Sequence, residues 1–221
     1  MKFNAVIFDK DGVIVNTQPI HYKVFKDFCS EYGWEFTRDD YESFNGTTSM
    51  EMFHRINTYY PSDITIDKWV ELFQNRYLKE IYNSDKLELI TGVKELIVTL
   101  SNHGIHLAVA SSARKEKINF ILNKFDLSPY FDVIVSGYEV ARSKPSPDIF
   151  LTAAERLGVP SKECIVIEDS TNGVVAAKQA GIYCIGYQNE LGKQDLSLAN
   201  YVVKDLNLLT NSSFARGIVK D

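Results

Sequence analysis

A short stretch near the start, Ala5-Val6-Ile7-Phe8-Asp9-Lys10-Asp11-Gly12, restricts what this chain can fold into more than any other part of it. An apolar run of strand length stops at a carboxylate, a second carboxylate follows two residues later, and then a glycine. A continuous apolar run, without polar alternation, describes a strand buried on both faces, as in a parallel sheet. Open α/β sheets place their ligands at the carboxyl ends of such strands. Two neighbouring buried Asp residues are costly to ionise together unless a cation lies between them. Carboxylate and carbonyl oxygens suit a hard ion such as Mg²⁺. The same residues also make an ordinary strand-to-turn cap, with Asp11-Gly12 supplying the bend. The rest of the chain decides between these readings.

Further along, the pattern repeats. Leu107-Ala108-Val109-Ala110 runs into Ser111-Ser112, Val133-Ile134-Val135 is a third strand, and Cys164-Ile165-Val166-Ile167 ends in Glu168-Asp169-Ser170. Tyr183-Cys184-Ile185 and Tyr201-Val202-Val203 follow as the fifth and sixth. Between them lie helical stripes such as Ile118, Ile121, Leu122 and Phe125, or Ile149, Phe150, Ala153, Ala154 and Leu157. The last of these is expected to begin with Pro147 behind a Ser146 cap. Strands alternating with helices predict an α/β fold with a doubly wound parallel sheet. Residues 16–89 differ in texture. After a short flap at Val13–Thr17 they are polar and aromatic, with helical periodicity around His21, Phe25 and Phe28, from Met50 to Asn57, and from Asp67 to Tyr82. They read as a small helical domain inserted behind the first strand, with residues 1–15 and 90–221 forming the α/β core.

Composition narrows the function. Over 221 residues the net charge is −5, which argues against the basic face that nucleic acid requires. No apolar stretch is long enough to span a bilayer or to act as a leader, so the chain is expected in the cytoplasm. A monomer is expected, although the sequence itself does not give the oligomeric state. The cysteines Cys29, Cys164 and Cys184 are odd in number and lack Cys-x-x-Cys spacing, so neither a zinc site nor a disulfide framework is indicated.

In a parallel sheet the polar strand ends share one edge. Asp9 and Asp11, Ser111 and Ser112, Glu168 and Asp169, and Lys144 in the proline-rich loop Ser143–Pro147 would then converge. Carboxylates for a metal, hydroxyl donors and one ammonium together describe a phosphate site. With these four motifs, Phe8–Gly12, Ala110–Ser112, Ser143–Pro145 and Ile167–Ser170, the chain resembles the haloacid dehalogenase superfamily. Within it the likeness is to the subgroup of β-phosphoglucomutase and small sugar-phosphate phosphatases. It covers essentially the whole chain and implies a Rossmann-type core with the helical insertion as a cap domain.

The resemblance implies roles. Asp9 would be the nucleophile that forms an aspartyl-phosphate, and Asp11 the general acid and base. Mg²⁺ would be bound by Asp9, the Asp11 backbone carbonyl and Asp169, with Glu168 supporting it. Ser111, Ser112 and Lys144 would hold the phosphate. The cap would contribute His21 and residues of the Asn45–Ser49 loop, Thr47 and Ser49 among them. In β-phosphoglucomutases that loop carries an Arg that grips a second phosphate. Here the position holds Ser49, and Arg55 or Arg76 would have to supply the charge from elsewhere. Asn16 stands where the family more often has Asp. These features favour hydrolysis of a small phosphorylated metabolite, with a phosphoglucomutase as the first alternative and a non-catalytic phospho-sensor as the second.

Overall fold

The structure is a computed structural model that describes residues 3–44, 48–189 and 194–210. In chain order its elements are β1 (Ala5–Phe8), β2 (Val15–Asn16), α1 (Gln18–Glu31), α2 (Arg38–Glu42), α3 (Ser49–Tyr59), α4 (Ile66–Asn83) and β3 (Glu88–Leu89). There follow α5 (Val93–Asn102), β4 (His106–Ser111), α6 (Lys115–Lys124), β5 (Val133–Ser136), α7 (Asp148–Leu157), β6 (Cys164–Glu168), α8 (Thr171–Gln179), β7 (Tyr183–Tyr187) and β8 (Tyr201–Val203). The chain divides into two compact units, Met1–Asn16 with Glu88–Asp221, and Thr17–Leu87.

In the first unit six parallel strands lie in the order β5-β4-β1-β6-β7-β8. β1 is central and every residue in it is buried. The order runs outward from β1 in both directions, so the switch point of the topology lies between β1 and β6, where doubly wound sheets open a ligand crevice. Alternation along β1 feeds two cores. Val6 and Phe8 pack with Leu96, Ile97, Ile118 and Leu122 of α5 and α6 on one face. Ala5 and Ile7 pack with Ile149, Phe150, Val174 and Ala177 of α7 and α8 on the other. Burying each large side chain there contributes about 1.5–3 kcal/mol. Cys164 and Cys184 belong to the second core as free thiols, pushed up to about 11 and about 12 by burial.

The second unit is helical and its core is aromatic. α1 and α3 pack on α4, with Phe28 edge-on to Trp69, Phe73 and Phe53 at centroid distances of 5.6–5.9 Å. Arg38 lies 4.1 Å over the Tyr22 ring. α2 carries no hydrophobic period long enough to show in the sequence, but Thr37 and Asp40 form a capping box that starts it.

One local expectation is corrected, and one gains detail. α7 begins at Asp148, with Pro147 as its cap residue, and Ser146 does not accept a helix N–H; its hydroxyl donates to Asp148 Oδ1 at 2.7 Å. The flap after Gly12 includes β2, which pairs antiparallel with β3, Asn16 opposite Glu88. Two residues are too few to show a strand period. Among the described residues no helix is long and apolar enough to cross a membrane.

Candidate active site

Register places the polar residues at one level. Phe8 lies beside Val109 of β4 and Ile167 of β6, so Asp9, just past β1, comes level with Ala110 and Glu168 near the carboxyl ends of those strands. Asp9 N donates to Ile167 O at 3.0 Å, which fixes the start of the loop. Lys144 arrives from the loop before α7 and closes the group. Its Nζ donates to Asp9 Oδ1 at 2.5 Å, Glu168 Oε1 at 2.7 Å and Ala110 O at 3.2 Å. All three protons of the ammonium are thereby used, and its side chain is 6% exposed. Burial alone would lower the Lys144 pKa; Asp9 and Glu168 more than offset this and raise it.

Glu168 and Asp169 are neighbours with different surroundings. Glu168 Oε2 accepts from Ser170 N at 2.7 Å and Ser170 Oγ at 2.9 Å, while Oε1 takes Lys144. Gly173 in α8 makes room for it, since a Cβ there would lie 1.8 Å from Oε1. Asp169 is held differently, by Asn189 Nδ2 at 2.7 Å from Oδ2. Gly12 sits directly under that carboxylate at φ +87, and a Cβ would fall 2.0 Å from Asp169 Oδ2. Gly12→Ala is therefore expected to lower stability by about 1–3 kcal/mol from backbone strain and collision together, and to displace Asp169. Chemical denaturation measures it; an unchanged midpoint would contradict this placement.

Burial pushes the Asp9 carboxyl up to about 7, with Glu168 and Asp11 adding to the rise and Lys144 opposing it. Asp169 is raised well above the usual range by burial and by the charges of Glu168 and Asp9. Asp9 and Glu168 share Lys144 as an ion-pair partner, and the charge of Lys144 also opposes the rise at Asp169. Such a negative excess fits a hard divalent cation. Among the described residues there is no group of three His, Cys, Asp or Glu side chains that could hold a metal ion. Mg²⁺ does not need one, because it is usually held by one or two carboxylates, with waters and phosphate oxygens completing its shell.

Asp11 lies outside that group of contacts. Its Oδ1 accepts from Lys10 Nζ at 2.5 Å, and Lys117 Nζ is 3.8 Å away. Lys10 is wholly buried and Lys117 nearly so. Ser111 is buried, its Oγ accepting Ala113 N at 3.2 Å, while exposed Ser112 lies 3.3 Å from Ser143 Oγ. Gly137 lets this loop sit close, since a Cβ would be 2.9 Å from Ser112 Cα.

The sequence-derived cap residues lie in the second unit. His21 Nδ1 is 2.9 Å from Tyr41 OH, with the ring among Phe73 and Tyr77. Ser49 Oγ accepts from Gln74 Nε2 at 2.6 Å. Arg55 donates to Ser43 O and Oγ and lies over Phe44. Arg76 pairs with Glu31 at 2.5 Å. Thr47 falls outside the described residues.

Lys10 and Ser170 lie inside the quoted motifs but, like Lys117 and Asn189, had no role assigned from the sequence. Lys117 had a signal, because it stands four residues before Ile121 and so on the edge of the apolar stripe of α6. Asn189 had none: its contact spans 20 residues and depends on how β7 leaves the sheet.

A family model for haloacid dehalogenase-like hydrolases matches residues 6–187. The chain is 34% identical over 180 residues to the phosphorylated carbohydrates phosphatase of Thermotoga maritima, which covers 80% of this chain and 82% of that protein. It is 33% identical over 187 residues to the β-phosphoglucomutase of Bacillus subtilis, 82% of each. It is 35% identical over 198 residues to the chloroplastic protein SUPPRESSOR OF QUENCHING 1 of Arabidopsis thaliana; this is 87% of the chain but only 18% of that protein's length. Among solved structures, CbbY from Rhodobacter sphaeroides in complex with phosphate has a TM-score of 0.84 at 27% identity, covering 96% of this chain and 99% of that one. The six-stranded parallel sheet, the four motifs gathered on its edge and the match over residues 6–187 lead to one conclusion: the chain belongs to the haloacid dehalogenase-like hydrolase family.

Proposed function

We propose that the chain is a Mg²⁺-dependent phosphatase that hydrolyses a small phosphomonoester, a sugar phosphate, through an aspartyl-phosphate on Asp9. The observation that carries this reading is the group formed by Asp9, Lys144, Glu168 and Asp169 at the switch point of the sheet. A carboxylate oxygen of Asp9 attacks phosphorus, and the bond from phosphorus to the alcohol oxygen breaks. Asp11, whose side chain is more than a third exposed, gives its proton to the departing oxygen. It then takes a proton from water as the water oxygen attacks phosphorus, which frees inorganic phosphate and returns Asp9 as a carboxylate. Lys144 opposes the burial that raises the Asp9 carboxyl and balances charge on the transferring group. The Ser111 hydroxyl, the exposed Ser112 and the N–H groups of their loop hydrogen-bond the phosphoryl oxygens. Asp9, Asp169 and the Asp11 carbonyl would hold Mg²⁺, which would further neutralise those oxygens when bound.

Residues 16–89 act as the cap that chooses the leaving group. Ser49 bonds to Gln74, while Arg55 and Arg76 are engaged inside the second unit. This favours a substrate with one phosphate over a bisphosphorylated intermediate. Phosphate release from a panel of sugar monophosphates, with and without Mg²⁺, tests the proposal. Release that requires Mg²⁺ is expected. Conversion of glucose 1-phosphate to the 6-phosphate without release would replace the phosphatase with a mutase.

A further inference from the structure

β7 runs parallel to β6 with Glu168 level with Gly186, so Asp169 and the chain following β7 leave the sheet at the same edge. There the backbone is pinned twice, by Gln188 N to Val203 O at 2.8 Å and by Asn189 N to Tyr187 O at 3.1 Å. Half-buried Asn189 is thereby turned back to the site, and its Nδ2 reaches Asp169 Oδ2 at 2.7 Å. The same oxygen is the one closest to Gly12, at 2.0 Å from where a Cβ would stand, against 3.0 Å for Oδ1. One carboxylate oxygen is thus held between a turn and an amide, and the other is not.

We propose that Asn189 is a positioning residue for the divalent cation: by holding Asp169 Oδ2 it commits Oδ1 to the metal. The inference rests on the Mg²⁺ reading given above. The chemistry of the side chain is specific to this task. Asp9, Glu168 and Asp169 already carry more negative charge than Lys144 balances. A lysine in place of Asn189 would pair with Asp169 and compete with the cation. A carboxylate there would add repulsion and could not donate. A neutral amide donates one N–H and leaves the charge of the site unchanged. Fixing Asp169 before the ion arrives removes the ordering that binding would otherwise require, and outer partners of metal ligands act in this way.

The test is Mg²⁺ titration by calorimetry of the metal-free, substrate-free full chain, as wild type, Asn189→Ala and Asn189→Leu. The two variants remove the donor with different bulk, so a packing effect would separate them. Both are expected to bind Mg²⁺ about ten- to a hundredfold more weakly. Turnover should require correspondingly more Mg²⁺ and return toward the wild-type kcat at saturation. Wild-type affinity in either variant overturns the role, and so does a kcat loss that saturating Mg²⁺ leaves in place. A wild-type chain that takes up no Mg²⁺ overturns the metal reading itself, an outcome distinct from unchanged variants.

Discussion

Lys144→Met is expected to destabilise the metal-free protein by about 3–5 kcal/mol and to abolish turnover. The side chain donates to Asp9, Glu168 and the Ala110 carbonyl from a position that is almost wholly buried. Methionine keeps the apolar stem as far as Cε, while the cation over the Phe150 ring, 4.9 Å from Nζ in the native chain, is lost with the charge. Packing is therefore largely preserved, and the loss reports the charge. Without the ammonium, two buried carboxylates face each other and a carbonyl is left without this donor. Removing one partner of a buried pair costs far more than the pair contributes, because the remaining charge is stranded. Arginine should not rescue it, because its planar fork cannot converge on three acceptors as an ammonium does. Urea denaturation reads the effect as a lower midpoint at unchanged slope. A change below about 1 kcal/mol, the range of an exposed pair, would show that Lys144 does not hold the site together.

Asp11→Asn is expected to split substrates by leaving group. A sugar alkoxide needs a proton to depart, so turnover of a sugar phosphate should fall on the order of 10²–10⁴-fold. An aryl phosphate releases phenolate without that proton. Its first step should survive, while water activation, which also depends on Asp11, is slowed. The expected result is a burst of phenolate of about one equivalent followed by a slow phase. Mg²⁺ binding should persist, because the proposed site uses the Asp11 backbone carbonyl rather than its carboxylate. The amide oxygen of Asn also retains an acceptor for Lys10, whose side chain is fully buried beside it. Equal losses on both substrates, without a burst, would remove Asp11 from the acid and base role.

How far the sequence could be read depended on the range of the interaction. β1, β4 and β6 were legible because burial on both faces leaves unbroken apolar runs, each ending in a residue that cannot continue them. The convergence of Asp9, Glu168 and Lys144 followed from parallel topology alone, since strand ends on one edge need no further information to meet. Side-chain pairings were not legible. That Glu168 takes Lys144 and Ser170, while Asp169 takes Asn189, depends on rotamers and on the room left by Gly12 and Gly173. Lys10 shows the limit most clearly. It stands between two Asp residues in the first motif with nothing to mark it out, yet its side chain is fully enclosed and bonded to Asp11. The start of α7 was misplaced by one residue because Ser146 bonds the side chain of Asp148 instead of a helix N–H.

The most direct test of the central claim is to trap the phosphoenzyme. Asp11→Asn protein with Mg²⁺ and an aryl phosphate is quenched in acid during the slow phase, and its peptides are mapped by mass spectrometry. A phosphoryl group on Asp9 is the expected result. Phenolate release with no covalent phosphate, or with phosphate on any other residue, would contradict it.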